Sequence, residues 1–256
     1  MILSDSPMIY DKEGVYRGHG RLLAALGFFA GQEESHLAMP VISIVGAGGK
    51  THTFYRLDQE LTEMHISHFL MTTTHMRLPK EKSIHSKLPE DISARRDGWW
   101  MGQPSKKDPA KLAPPGESVM AAVCASGYPV VIEADGARGK SCKVPATWEP
   151  AIRPETTWVI GIMGLTAIGQ RICESCHRPE DVARFLGKEP EDTLTWQDMC
   201  RIIDHPDGLF KSAGDRKKVL ILNQADDKIC RTWGRKIVSQ ATIPGLTIWM
   251  TSYRKG

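Results

Sequence analysis

The chain has 256 residues, 41% of them hydrophobic and 25% charged, with a formal net charge of +3. That length allows one large domain or two small ones, the composition excludes wholesale disorder, and so weak a charge gives no reason to expect a nucleic-acid partner. No apolar run approaches the roughly 18 residues of a membrane span, and the N-terminal MILSDSPMIYDKEG lacks a basic stretch followed by an apolar one. The expectation is therefore a cytoplasmic protein with no membrane partner, whose six cysteines are reduced.

Residues 1–40 read as an N-terminal extension with one helix in RLLAALGFFA. From residue 41 onward, short β-branched runs alternate with longer helical stretches. Strands are expected at Val41–Val45, His68–Thr73, Pro129–Ala134, Thr157–Met163, Lys218–Asn223 and Leu246–Met250. Helices are expected at Thr51–Met64, Gly116–Ser126, Pro179–Leu186, Thr195–Ile203 and Asp227–Gln240. Runs such as VISIV, WVIGIM and VLIL are apolar almost throughout, as suits strands covered on both faces. The alternation predicts a doubly wound, mainly parallel α/β sheet, P-loop NTPase-like, with residues 41–256 as a single domain. A loop-rich insertion is expected at about 77–116. Between Arg77 and Lys111 it carries nine Lys/Arg against five Asp/Glu, an excess of four, so the positive excess of the whole chain sits there. It reads either as a solvated loop or as a segment that approaches phosphates. The Trp99–Trp100 pair within it reads as a buried strand remnant.

The first strand runs into GAGGKT and then a helix. Gly46, Gly48 and Gly49 let backbone N–H groups converge on phosphate oxygens without Cβ clashes, and Ala47 sits within the same turn. The helix that follows directs its positive end at the anion. Lys50 can reach β- and γ-phosphates, and the Thr51 hydroxyl can take one Mg²⁺ position. Ile44 stands where the pattern GxxxxGK[ST] has its leading glycine. Read as GxGxxG, the loop meets Thr51 where the third glycine belongs. The residues thus favour a nucleoside triphosphate over NAD, while a dinucleotide loop and a structural glycine turn stay open.

In an open α/β sheet, ligands sit at the carboxyl ends of strands. After PVVI comes EADGARGK, in which Glu133 and Asp135 lie two apart and so on one face. Asp135 is the first candidate to hold Mg²⁺, with Glu133 orienting a water or ligating the metal; a strand-end ion pair with Arg138 or Lys140 is the alternative. After VLIL comes Asn223-Gln224-Ala225-Asp226, close to the NKxD guanine-recognition motif with Gln in place of Lys. A carboxylate at Asp226 can accept both hydrogen bonds of the guanine N1–H and N2–H₂ edge, so GTP is favoured over ATP. The threonines of MTTTHM, with His75, end the second strand and could face a γ-phosphate or form a capping cluster. CESCH, Cys173 to His177, matches the c-type haem attachment string without an export signal and lacks a second CxxC to complete a zinc site. Incidental thiols are the expected reading, with a redox or sulfur-handling role as the alternative.

Together, VISIVGAGGKT, LMTTTHM, IEADGARGKSCKVPATWEP, HRPED and the late NQAD resemble the selenium-dependent hydroxylase accessory proteins, the YqeC-like group. The resemblance covers most of the chain after residue 40. It implies a P-loop-like fold and an accessory factor in the maturation of a selenium-dependent molybdenum hydroxylase. Its partners would be a nucleoside triphosphate with Mg²⁺ and a client apo-hydroxylase. Carried over, the nucleotide site is Gly46, Gly48, Gly49, Lys50 and Thr51, with Glu133 and Asp135 as metal and catalytic candidates. Lys143 and Glu149 match its KxPxxxEP string. His52 departs from the GGKTT of the family loop. Two activities follow. One is an NTPase, slow by itself because neither an arginine finger nor a water-orienting glutamine is evident. The other is a non-hydrolysing carrier or chaperone of a molybdopterin-type cofactor.

Overall fold

The computed structural model describes residues 8–10, 16–19, 21–25, 39–78, 82–95 and 97–253. In chain order the strands and helices are β1 (Met8–Tyr10), β2 (Tyr16–His19), α1 (Leu22–Ala25), β3 (Val41–Gly46), α2 (Lys50–Glu63), β4 (Phe69–Thr72), β5 (Met76–Arg77), β6 (Ile84–His85) and β7 (Trp99–Met101). They continue with β8 (Gln103–Pro104), β9 (Lys111–Ala113), α3 (Glu117–Cys124), β10 (Val130–Glu133), β11 (Cys142–Lys143), β12 (Trp158–Gly164), α4 (Ile172–Ser175) and β13 (Cys176–His177). Last come α5 (Pro179–Leu186), α6 (Trp196–Asp204), β14 (Lys217–Asn223), α7 (Lys228–Gln240) and β15 (Thr247–Ser252).

The main sheet runs β2-β1-β15-β14-β12-β3-β10-β4-β7-β6. Its eight strands from β15 to β6 are parallel, and β1 and β2 add an antiparallel edge. All six expected strands and all five expected helices are present, with ends shifted by a few residues. The fold is the doubly wound α/β sheet that the alternation implied. The start of RLLAALGFFA is helical at Leu22–Ala25, and its remainder lies outside the described residues.

Alternation along the central strands decides which side chain serves which layer. Ile42 and Ile44 of β3, Ile160 and Ile162 of β12, and Val219 and Ile221 of β14 pack with Phe54, Leu57 and Leu61 of α2. Val45, Val159, Met163, Leu220 and Leu222 face the opposite way, onto α5, α6 and α7. Each such buried aliphatic side chain contributes about 1.5–3 kcal/mol relative to exposure. A third cluster joins Val41, Phe69, Met71, Val130 and Ile132 to Val123 of α3. At the N-terminal side, the Glu60 carboxylate of α2 accepts from Leu22 N (2.7 Å) and Leu23 N (2.8 Å), docking α1 on α2.

The basic segment is built into the fold. Its Trp99–Met101 strand is buried and pairs with β4, and Ile84–His85 pairs beyond it, so the segment supplies one edge of the sheet. Strands β5, β9 and β8 form a separate small antiparallel sheet. No helix among the described residues is long and apolar enough to cross a membrane.

Candidate functional site

Parallel pairing in register brings the carboxyl ends of β3, β10, β12 and β14 to one edge, and the expected site residues gather there. The loop after β3 turns through left-handed backbone at Gly46 (φ 94°), Gly48 (φ 83°) and Gly49 (φ 138°). A Cβ at Gly49 would stand 2.1 Å from Asn223 Nδ2, so both conformation and space exclude a side chain. Three loop amides are taken by the protein: Gly46 N donates to Asp135 Oδ2 (3.0 Å), Ala47 N to Ile162 O (2.8 Å) and Gly48 N to Lys140 O (2.9 Å). The helix α2 begins at Gly49 with no side-chain cap, whereas Thr195 and Asp227 cap α6 and α7. The first-turn N–H groups of α2 therefore keep their capacity for an anion.

Lys50 is buried, donating to Gly46 O (2.5 Å) with its Nζ 3.2 Å from Asp135 Oδ1. Asp135 also accepts from Gly46 N (3.0 Å), and its Oδ2 pairs with Lys143 Nζ at 3.0 Å. Lys143, 1% exposed along its side chain, continues to Glu149 Oε2 (2.7 Å) and Gly136 O (2.8 Å). Arg178 closes the chain of charges on Glu149, at 2.7 Å from Oε2 and 3.3 Å from Oε1. Asp135 is thus held between two lysines and a loop amide. Neither Arg138 nor Lys140 is its partner; Lys140 donates to Glu174 O instead.

Glu133 is buried at the end of β10 and accepts from Thr51 Oγ1 at 3.2 Å. Burial pushes its carboxyl above the ordinary range, the Lys50 charge opposes that, and Asp135 adds to it. Next to it on β4, Thr72 Oγ1 donates to Glu133 O (2.9 Å), while the Thr73 hydroxyl is buried with no hydrogen-bond partner. Among the described residues no three His, Cys, Asp or Glu side chains group to enclose a metal. The residues fit Mg²⁺ as an ion shared with phosphates: the Thr51 hydroxyl and Glu133 carboxylate lie together, and Asp135 Oδ1 is buried with no hydrogen-bond partner. His75 is exposed.

On the other flank, Asn223 Nδ2 donates to Gly48 O (2.8 Å), and its Oδ1 accepts from Thr251 Oγ1 (2.8 Å). One amide therefore ties the glycine loop to β14 and β15. Gln224 sits in left-handed backbone (φ 63°), costly for a side chain with a Cβ, and its Oε1 accepts from Thr166 Oγ1. Asp226 Oδ1 accepts from Ser252 Oγ at 2.6 Å. Cys176 lies opposite Cys142 in the β11–β13 register, both buried, and Cys173 is partly exposed.

Three residues had no role in the sequence reading: Arg178, Thr251 and Ser252. Arg178 stood in a quoted string without a role. Thr251 and Ser252 end the last strand, where the same rule of examining strand ends would have found them. Among the three threonines singled out after the second strand, Thr73 is the one whose buried hydroxyl has no partner.

The charge chain makes stability acid-sensitive. Burial alone would raise the Glu149 carboxyl, but hydrogen bonds from Arg178 and Lys143 outweigh it and hold the pKa at about 2. Burial, then the Arg178 and Lys143 charges, lowers His177 to about 4. Against ordinary values of about 4.3 and 6.5, both groups bind more protons unfolded than folded, so both stabilise the fold less as pH falls. Glu133 has the opposite sign, because its raised carboxyl binds protons more readily in the folded chain. The expected result is a loss of stability from pH 6.5 to 4 that His177→Gln largely removes, and a further loss toward pH 2 that it does not. Urea unfolding of both proteins at pH 7 and pH 5 checks this; equal losses in the two would refute the His177 assignment.

A mainly parallel open sheet wound on both faces, with a glycine loop between its central strand and a helix, defines a doubly wound α/β protein whose candidate site lies on the carboxyl edge. The chain belongs to the YqeC family, whose model, described as "YqeC protein", matches residues 42–180. It is also 32% identical over 185 residues to an Escherichia coli (strain K12) protein described as "Uncharacterized protein YqeC", covering 67% of this chain and 70% of that one. No solved structure matches it.

Proposed function

We propose that the chain binds a nucleoside triphosphate with Mg²⁺, GTP in preference to ATP, and hydrolyses it slowly as an accessory factor in maturing a selenium-dependent molybdenum hydroxylase. The observation that carries the nucleotide reading is the convergence on one glycine loop of Lys50, the Thr51–Glu133 pair and the Asn223 tie to Gly48. In this reading the N–H groups of Gly49, Lys50 and Thr51 cradle the phosphates, and Lys50 turns from Asp135 to the β- and γ-phosphate oxygens. Thr51 and Glu133 hold Mg²⁺, which supplies neutralising charge on those phosphates. Asp135 positions Lys50 and the loop through the two lysines and Gly46 N, and its buried Oδ1, which accepts no hydrogen bond, is the oxygen left for the ion. Asp226 reads the guanine edge. The maturation role rests on family membership and names the client apo-hydroxylase as partner.

One observation favours the carrier reading beside it. Trp148 is 71% exposed next to the charge chain, with the Arg178 guanidinium 5.2 Å from its ring centroid, a surface suited to a planar anion such as a molybdopterin-type cofactor. Phosphate release from GTP, measured with and without the apo-hydroxylase, separates the two. An NTPase releases phosphate faster with the client; a carrier binds the pterin and releases none.

A further inference from the structure

We infer that Thr251 and Ser252, the last two residues of β15, are positioning residues of the nucleotide site, with Ser252 setting its preference for guanine and Thr251 its affinity for any nucleotide. This rests on the nucleotide reading above and assigns the base selectivity to a strand outside the matched 42–180 region.

The argument is geometric. β15 lies in parallel register with β14, Leu222 opposite Met250, so the residues following each strand end side by side. Both hydroxyls are buried and both donate to the NQAD segment: Ser252 Oγ to Asp226 Oδ1 at 2.6 Å, and Thr251 Oγ1 to Asn223 Oδ1 at 2.8 Å. A carboxylate reads the paired N1–H and N2–H₂ donors only if its plane is fixed, because a freely rotating one satisfies them part of the time. Ser252 supplies that constraint through a charge-assisted bond. Thr251 acts elsewhere. It orients the Asn223 amide so that Nδ2 meets Gly48 O, and through that bond it fixes the phosphate loop, which is indifferent to the base.

The two residues therefore have separable signatures. Removing one hydrogen bond to a charged group is worth about a tenfold change in affinity. Ser252→Ala should weaken GTP about tenfold and leave ATP unchanged, with Ser252→Thr restoring the preference. Thr251→Val should weaken GTP and ATP together. Competition of GTP against ATP for a fluorescent GTP analogue on one sample gives the GTP-to-ATP ratio, which does not depend on the fraction of protein that has folded. A ratio unchanged in Ser252→Ala while the wild type binds GTP overturns this inference alone. A wild type that binds neither nucleotide overturns the nucleotide reading and this inference with it.

Discussion

Lys50→Ala is expected to lower the affinity for Mg·GTP by about 10²–10³-fold, the loss of one to two charge-assisted hydrogen bonds to phosphate oxygens. The fold should survive the change. Lys50 is buried against Asp135 and Gly46 O; without it Asp135 Oδ2 keeps Lys143 Nζ at 3.0 Å and Gly46 N at 3.0 Å, while the buried Oδ1 loses its neighbouring charge, so some stability is lost with the fold retained. In the proposed site the substitution thus removes the lysine assigned to the phosphates and spares Lys143, which pairs with Asp135 Oδ2. Asp135→Asn offers a contrast. Its effect should be smaller, because the amide still faces Lys50 and the loop while the charge that holds Lys50 back is gone. Calorimetric titration with GTP, beside circular dichroism to confirm folding, measures both. Affinity unaltered in Lys50→Ala would remove the lysine from the site.

Asp226→Asn is expected to exchange the base that the site accepts. A carboxylate accepts at both oxygens, matching the N1–H and N2–H₂ donors of guanine. An asparagine amide accepts at one atom and donates at the other, which suits xanthine, with N1–H beside a carbonyl. Two charge-assisted bonds at about 1.5–3 kcal/mol each put the loss of GTP at roughly 10²-fold or more, with a gain for xanthosine triphosphate. Asp226 is only partly buried, and Ser252 can still donate to an amide oxygen; circular dichroism of the variant checks that it folds. Titration of wild type and variant with GTP, ATP and xanthosine triphosphate reads the exchange. An equal loss for every base would mean that Asp226 acts on the loop or the fold rather than on the base.

Much of the fold was legible because the central strands are buried on both faces. VISIV, VVIE, WVIGIM and KKVLILN become strands with nearly every residue covered, a pattern that a continuous apolar run states directly. The edges were not. Ile84–His85 and Trp99–Met101 are two and three residues long, too short for periodicity, and lie in a segment whose composition reads as loop. Only the Trp99–Trp100 pair hinted at burial. Met8–Tyr10 is a strand because the open edge of β15 accepts it, and Tyr16–His19 because β1 does, long-range facts that local sequence does not hold.

The candidate site shows the same division. Gly46, Gly48, Gly49, Lys50 and Thr51 are contiguous, so their chemistry can be read in order. The role of Asp135 cannot, since it depends on Lys143, eight residues on, arriving at its second oxygen while Lys50 holds the first. Glu133 and Asp135 look alike as strand-end carboxylates. They differ only because Thr51 reaches one and two ammonium groups reach the other. Likewise NQAD suggested a base-reading motif, but the structure puts Asn223 on the loop backbone, held by Thr251, and Asp226 on Ser252, a split that the four-residue string does not state.

The central claim is that this glycine loop serves a guanine nucleotide. Calorimetric titration of the purified chain with GTP, ATP and NAD, each with Mg²⁺, tests it most directly. The account predicts saturable binding of GTP, weaker binding of ATP and none of NAD. Heat of binding with NAD alone, or with no nucleotide at all, would contradict it.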